Sequence, residues 1–461
     1  MLMRVFKTFS PIVSRKYLSN ISHANNSEYL THIRKMALPK SRSNPVIMKL
    51  DTPEFKSLFS EELNCLISLF KEYGYEIRMA GGAVRDLLMG IKPKDVDFAT
   101  VATPDQMKEM FTTENIRMIN MKGEKHGTIT PRINDKENFE ITTLRIDVVT
   151  DGRHAEVQYT TDWLLDAFRR DLTINSMFLG VDGTVFDYFF GYEDIKKNRV
   201  AFVGDATTRI REDYLRILRY FRFYGRIAPE PNNHEELTLK SIKENVKGLG
   251  NISGERIWME LKKILEGNYA GDLMVTIIEC GLAPYIGLPE NPNIDELKAV
   301  WKRSSNLKMN AITLLSSLLS TVEDVAKLHV RLKLSAFERD LAYFIIDNRN
   351  PKTNSDPLMP YKQLLLMSKT KQSDTREWII EVLKYNNFPQ LEEFKAWTIP
   401  KFPITGSILK EKGVQSGKFM GVVMNELKAC WVDSDFKAST EELLDQLPKI
   451  LELLSERKKN K

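Results

Sequence analysis

The apolar residues of this chain change their spacing once. Up to about residue 190 they fall mostly in short runs bounded by turn residues, as at 75–80, 95–100, 139–146 and 184–188. Past about residue 205 they recur at helical spacing through to the end. A period of two and a period of 3.6 present their apolar faces on different backbones, so the two stretches cannot share one architecture. The pattern predicts an α+β protein: a head with a small mixed sheet, then a long all-helical remainder. One helix is expected early, over 55–73, where Gly74 stops it. Others are expected at 208–224, 253–266, 273–279, 311–332 and 440–458, with Val203-Gly204-Asp205 as the hinge between the regimes. At 461 residues the chain is too long for one ordinary core, and two to four domains are expected.

Composition narrows the class. Hydrophobic residues at 42% and charged residues at 28% belong to an ordinary globular protein. No apolar run approaches the roughly 18 to 20 residues of a membrane span, so no membrane partner is expected. Cys65, Cys280 and Cys430 lie too far apart to suggest a zinc site or a disulfide framework. A net charge of +5 permits a nucleic-acid partner without demanding one. The first 27 residues carry Arg4, Lys7, Arg15 and Lys16 and no acidic residue, with Leu2, Val5, Phe6, Phe9, Ile12 and Val13 at helical spacing. An amphipathic, acid-poor leader of this kind predicts mitochondrial targeting over residues 1–35. Met36 offers a second start, which would leave a cytosolic or nuclear form.

The densest chemistry lies in Gly81-Gly82-Ala83-Val84-Arg85-Asp86, followed by Asp95-Val96-Asp97. A strand over 77–80 leads into the glycines, and a helix is expected to leave them. Two residues without a Cβ let backbone N–H groups close on a phosphate, and Arg85 can add a charged fork. If 95–100 is a strand, Asp95 and Asp97 share a face. Two carboxylates there suit Mg²⁺ shared with substrate phosphates, two ions being expected, with Mn²⁺ an acceptable substitute. Glu140, in the alternating run Phe139-Glu140-Ile141, is the expected third carboxylate. Together these point to metal-assisted phosphoryl transfer.

Two further clusters point to a nucleotide. Arg169-Arg170-Asp171-Leu172-Thr173-Ile174-Asn175 offers two cations for a triphosphate, and Asp171 and Asn175, four apart, would share a helical face. In Glu212-Asp213-Tyr214-Leu215-Arg216-Ile217-Leu218-Arg219, Asp213 and Arg216 would stand side by side on a helix. Aspartate only accepts hydrogen bonds and arginine only donates. Cytosine and adenine each place an amino donor beside a ring-nitrogen acceptor, which such a pair complements. Uracil and guanine would leave buried polar groups unpaired. The pair therefore fits CTP and ATP.

In this order the motifs resemble those of the class II tRNA nucleotidyltransferases, the CCA-adding enzymes of bacteria and eukaryotes. Asp151-Gly152-Arg153-His154 is similar to that family's flexible loop, and Ser253-Gly254-Glu255-Arg256-Ile257 to its last motif. The resemblance implies a polymerase-β-like head over 45–195 and helical neck, body and tail over 196–270, 271–365 and 366–461. It implies metal binding by Asp95 and Asp97, with catalysis shared by Glu140. The implied nucleotide site comprises Gly81, Gly82, Arg85, Arg170, Asp171, Asn175, Asp213, Arg216 and Arg219. Residues 147–165 would assist the change from CTP to ATP. The implied partner is tRNA, gripped at its acceptor end and elbow, while monomer and homodimer both stay open. A bacterial-type poly(A) polymerase shares the head and the Glu-Asp-x-x-Arg motif, and a catalytically dead RNA-binding relative is the other alternative.

Overall fold

The computed structural model of the chain describes residues 39–119, 121–150, 155–350 and 354–459. The targeting leader, Met36 and the Asp151–His154 loop lie outside the described residues. The described chain separates into two compact units, with the boundary between Arg209 and Ile210.

The first unit is built on a mixed sheet of nine strands. Strands β1 (Val46–Lys49), β2 (Ile77–Ala80), β3 (Asp97–Thr100), β4 (Arg117–Ile119), β5 (Thr128–Ile133), β6 (Glu137–Asn138), β7 (Glu140–Thr143), β10 (Phe178–Gly180) and β11 (Thr184–Phe186) run in the order β1-β11-β10-β2-β3-β7-β5-β4, with β6 on β5. A separate hairpin pairs β8 (Arg145–Thr150) with β9 (Ala155–Tyr159). Among the named strand pairs, β3 with β7 is parallel and the rest are antiparallel. The run expected as one strand over 139–146 is two strands. Leu144 interrupts it, with its N–H donated to Thr100 and the chain turning into the hairpin.

Helices cover this sheet. α1 (Glu61–Glu72) buries Leu63, Leu66, Leu69 and Phe70 along one stripe. The helix expected over 55–73 is broken into Pro53–Lys56 and α1, because Ser60 accepts the N–H of Leu63 and starts a new helix. α2 (Gly82–Leu88) follows β2 directly, and α3 (Trp163–Phe168) follows the hairpin. Ala80, Ala99, Leu144, Trp163, Ala167, Phe168, Phe178, Phe189 and Val203 form a core shared by sheet and helix.

The second unit is helical throughout. α5 (Arg216–Ile227) buries Ile217, Leu218, Tyr220, Phe221 and Tyr224 and packs against α6 (Gly254–Leu265). The helix expected over 208–224 is divided into α4 (Ala206–Glu212) and α5, with a turn at 213–215. α7 (Val322–Leu332) passes close to the start of α6: a Cβ on Gly254 would stand 1.9 Å from the carbonyl oxygen of Arg331, so only glycine fits there. A distinct core near the carboxyl end gathers Val423, Leu427, Trp431, Leu443 and Leu447. No helix of the described residues is long and apolar enough to cross a membrane.

Candidate active site

Sheet register builds the first half of the site. Phe178 is opposite Ala80, Ala80 opposite Asp97, and Asp97 opposite Glu140. One row across four neighbouring strands therefore brings the end of β2, where the glycine turn begins, level with both carboxylates. Asp97 opens β3, while Phe98, Ala99 and Thr100 behind it are buried. Asp95 is not in that strand: it lies in the bend just before it. The shared strand face expected for Asp95 and Asp97 is thus replaced by a turn that feeds the strand. The two carboxylates still feel each other. Partial burial, then the charges of Glu140 and Asp95, push the Asp97 carboxyl above the usual range, and Arg170 opposes them.

The glycine turn needs a residue without a Cβ at its first position. Gly81 has φ +67, a conformation that disfavours any Cβ, and a Cβ there would lie 3.0 Å from Nη1 of Arg170. Its own N–H is donated to the carbonyl of Met177. Gly82 starts α2, and a Cβ on it would meet only Nη2 of Arg85, at 3.7 Å. Arg85 turns inward. It is 3% exposed, donates from Nε and Nη2 to Asp86 at 3.0 and 2.8 Å, and from Nη1 to Oδ1 of Asn175 at 2.5 Å. It braces the turn from inside the protein, where a fork open to a phosphate was expected.

The Arg169–Asn175 cluster is also differently made. α3 ends at Phe168, Asp171 lies beyond it, and Thr173–Asn175 form a single 3₁₀ turn. Asp171 and Asn175 therefore do not share a helical face. Asp171 is buried and accepts the N–H of Leu172, while Asn175 receives Arg85. Arg170 lies at the glycine turn, donating from Nη1 to the carbonyl of Asn175 at 3.2 Å with its guanidinium over the Phe178 ring.

The second unit holds the other motif, and here too helical spacing misleads. Asp213 sits in the turn before α5, where Oδ1 accepts the N–H of Leu215 at 3.1 Å. A short side chain that satisfies nearby backbone competes with the helix, which is why α4 ends one residue earlier. Oδ2 accepts Nη2 of Arg256 at 2.8 Å. Arg216, at the first position of α5, donates to Glu212 at 2.5 Å. Arg219, one turn on, has its guanidinium 5.8 Å from the Phe223 ring centroid. The residue missed by sequence reasoning is Arg256. Its stretch, Ser253 to Ile257, was visible as a motif, but a separation of 43 residues from Asp213 carries no geometry.

The model of the poly A polymerase head domain matches residues 77–201, and that of the probable RNA and SrmB-binding site of polymerase A matches residues 234–293. Over 420 residues the chain is 53% identical to human CCA tRNA nucleotidyltransferase 1, mitochondrial, covering 90% of this chain and 96% of that protein. It belongs to the CCA tRNA nucleotidyltransferases. The fold of this nucleotidyltransferase is similar to that of the Bacillus stearothermophilus CCA-adding enzyme in complex with CTP, with TM-score 0.65 and 24% identity over 89% of this chain and 100% of that one. It is likewise similar to the Thermotoga maritima CCA-adding enzyme complexed with tRNA, with TM-score 0.62 and 21% identity over 89% and 99% of the two chains.

Membership of this nucleotidyltransferase family implies dependence on a divalent metal. The residues present fit one: Asp95, Asp97 and Glu140 offer hard carboxylate oxygens, and the repulsion that Glu140 and Asp95 exert on Asp97 is what a cation would relieve. Among the described residues no three His, Cys, Asp or Glu side chains close into a cage.

Proposed function

We propose that this tRNA nucleotidyltransferase completes the tRNA 3′ end by adding C, C and A without a nucleic-acid template, in mitochondria. The observation that carries the reading is the row Ala80–Asp97–Glu140, set level with a glycine turn, in a chain 53% identical to a CCA tRNA nucleotidyltransferase along nearly its whole length. The 3′-hydroxyl of tRNA attacks the α-phosphorus of CTP twice and then of ATP once. A new phosphodiester bond forms each time, and pyrophosphate departs. Asp95 and Asp97 would hold Mg²⁺, as two ions, with Glu140 beside them; bound there, the metal supplies charge neutralisation for the triphosphate and activation of the attacking hydroxyl. Gly81 and Gly82 allow the triphosphate to approach the chain closely, and Arg170 faces it with positive charge. Most of the rate then comes from positioning and electrostatics.

Asp213 and Arg216, with Arg219 one turn on, are assigned to the base. Arg256 and Glu212 fix those two side chains before nucleotide arrives. Residues 147–165, the Asp151–His154 stretch included, are assigned to the passage from CTP to ATP. The helical region over 366–461 is assigned to the tRNA elbow, recognised through shape and phosphates. The acid-poor leader would carry the protein to mitochondria, and initiation at Met36 would leave a second, non-mitochondrial form.

An end-labelled tRNA lacking its last three nucleotides tests the reading. CTP alone should add two nucleotides, and CTP with ATP should add three and stop. A long A tail would instead assign the chain to poly(A) synthesis.

A further inference from the structure

Asp166 is a heavily engaged side chain of the head that the reaction scheme leaves without a role. It lies in α3 between Leu165 and Ala167 and is 1% exposed. Its Oδ1 accepts hydrogen bonds from Nε of Arg169 at 2.8 Å and from the backbone N–H of Arg145 at 3.2 Å, and forms an ion pair with Nη2 of Arg169 at 2.8 Å. Its Oδ2 accepts Nε and Nη2 of Arg170 at 3.2 and 3.0 Å. One buried carboxylate thus receives the same edge of two successive arginines and the first residue of the β8–β9 hairpin. Burial alone would push its pKa up, but the two guanidinium charges outweigh that and hold it below the usual carboxylate range.

The consequence falls on Arg170. With its Nε–Nη2 edge held by Asp166, its Nη1 is directed at the carbonyl of Asn175 and lies against Gly81. Without an anchor, two adjacent arginines repel each other and sample many rotamers. With it, one cation stands fixed at the glycine turn before any nucleotide binds, so its ordering is not charged against affinity. Asp166 itself is sealed from solvent and touches no substrate. The geometry points to Asp166 as a positioning residue for the nucleoside triphosphate, acting through Arg170 and Arg169. This rests on the reading of the glycine turn as the triphosphate site.

The chemistry of the carboxylate supplies the test. Asparagine keeps the shape but offers one acceptor and one donor group, so it cannot receive both arginines, and one must let go. Asp166→Asn is therefore expected to raise KM for CTP and for ATP together by about tenfold, with kcat altered less than about threefold. Affinity for tRNA and discrimination against UTP should stay as in the wild type, because the triphosphate is common to every nucleotide while the base is read elsewhere. Asp166→Glu keeps the charge and both oxygens, and is expected to recover part of the loss.

The assay uses the full chain, a tRNA lacking its CCA end, and CTP or ATP as the varied substrate, with thermal unfolding measured in parallel. An unchanged KM in folded Asp166→Asn protein overturns the proposal, as does a loss confined to kcat or matched by a loss of tRNA binding. If Asp166→Asn does not fold, Asp166→Glu decides: a raised KM supports the role and a wild-type KM overturns it. If neither folds, Asp166 serves folding and the proposal fails. A wild-type protein that does not extend this tRNA refutes the functional reading, and that outcome is separate from any difference among the variants.

Discussion

The carboxylate cluster of the head and the Asp213–Arg216 cluster of the helical unit, to which base recognition is assigned, are held in place by different means. In the head, backbone hydrogen bonds set the register, and Asp97 and Glu140 are neighbours because their strands are. In the helical unit, Asp213 sits in a turn and Arg216 at a helix start, and each is aimed by a side-chain partner, Arg256 and Glu212. A site held by a ladder depends on the ligand residues themselves, whereas a site held by ion pairs depends on their partners as well. The contrast suits the tasks assigned. Metal-assisted transfer is common to every addition, while nucleotide choice must adjust between C and A.

The largest effect should come from the carboxylate site of the head. Asp95→Ala is expected to lower incorporation of both CTP and ATP on the order of a thousandfold while tRNA binding persists. Single-turnover extension beside a filter-binding measurement checks this, and residual turnover within about tenfold of wild type would remove Asp95 from the metal site. On the other side, Arg256→Ala should reduce discrimination against UTP by about tenfold, with a smaller change in kcat for CTP, since it frees a residue assigned to the base. Competition between CTP and UTP on one tRNA measures it. Unaltered selectivity would mean that the Leu215 N–H alone holds Asp213, and the contrast between the two sites would collapse.

A smaller effect separates the two glycines of the turn. Gly81→Ala should destabilise the head by about 1–2 kcal/mol, because φ +67 and the guanidinium of Arg170 both resist a Cβ. Gly82→Ala, in the first turn of a helix where a Cβ makes only an ordinary contact with Arg85, should stay within about 0.5 kcal/mol. Denaturant titration of the two variants gives the comparison.

The smallest effect is a pH dependence. Asp97 has a folded pKa above its unfolded value, so between the two the folded state holds more proton and stability falls as pH rises. In metal-free protein this loss should run upward from the ordinary carboxylate range and be complete above the raised pKa. Added Mg²⁺ should offset it, and Asp97→Asn should remove it, each by about 2 °C in Tm. A metal-free Tm that rises across that window would contradict the crowding of charge at the sheet edge.

Legibility in the sequence followed regularity of backbone. The glycine turn after β2, Asp97 at the head of a buried strand and Glu140 in an alternating run were readable because a strand repeats every two residues. Asp95 was misplaced by two residues, since nothing local marks where a strand begins. Arg85 reads as a surface cation beside glycines, yet Asp86 and Asn175 take it inside. Asp166 reads as one polar residue in an apolar helix, and only the fold turns both arginines onto it.

By itself the sequence determined the α+β division, the family, and the kinds of chemistry present, because periodicity and residue type are local properties. Tertiary structure decided which groups meet. The row from Ala80 through Asp97 to Glu140 needs β3 and β7, whose partnered residues are far apart in sequence, to pair in parallel. The hold of Arg256 on Asp213 needs two helices packed together. Both are long-range contacts whose geometry follows from core packing and sheet register, and no spacing along the chain encodes them.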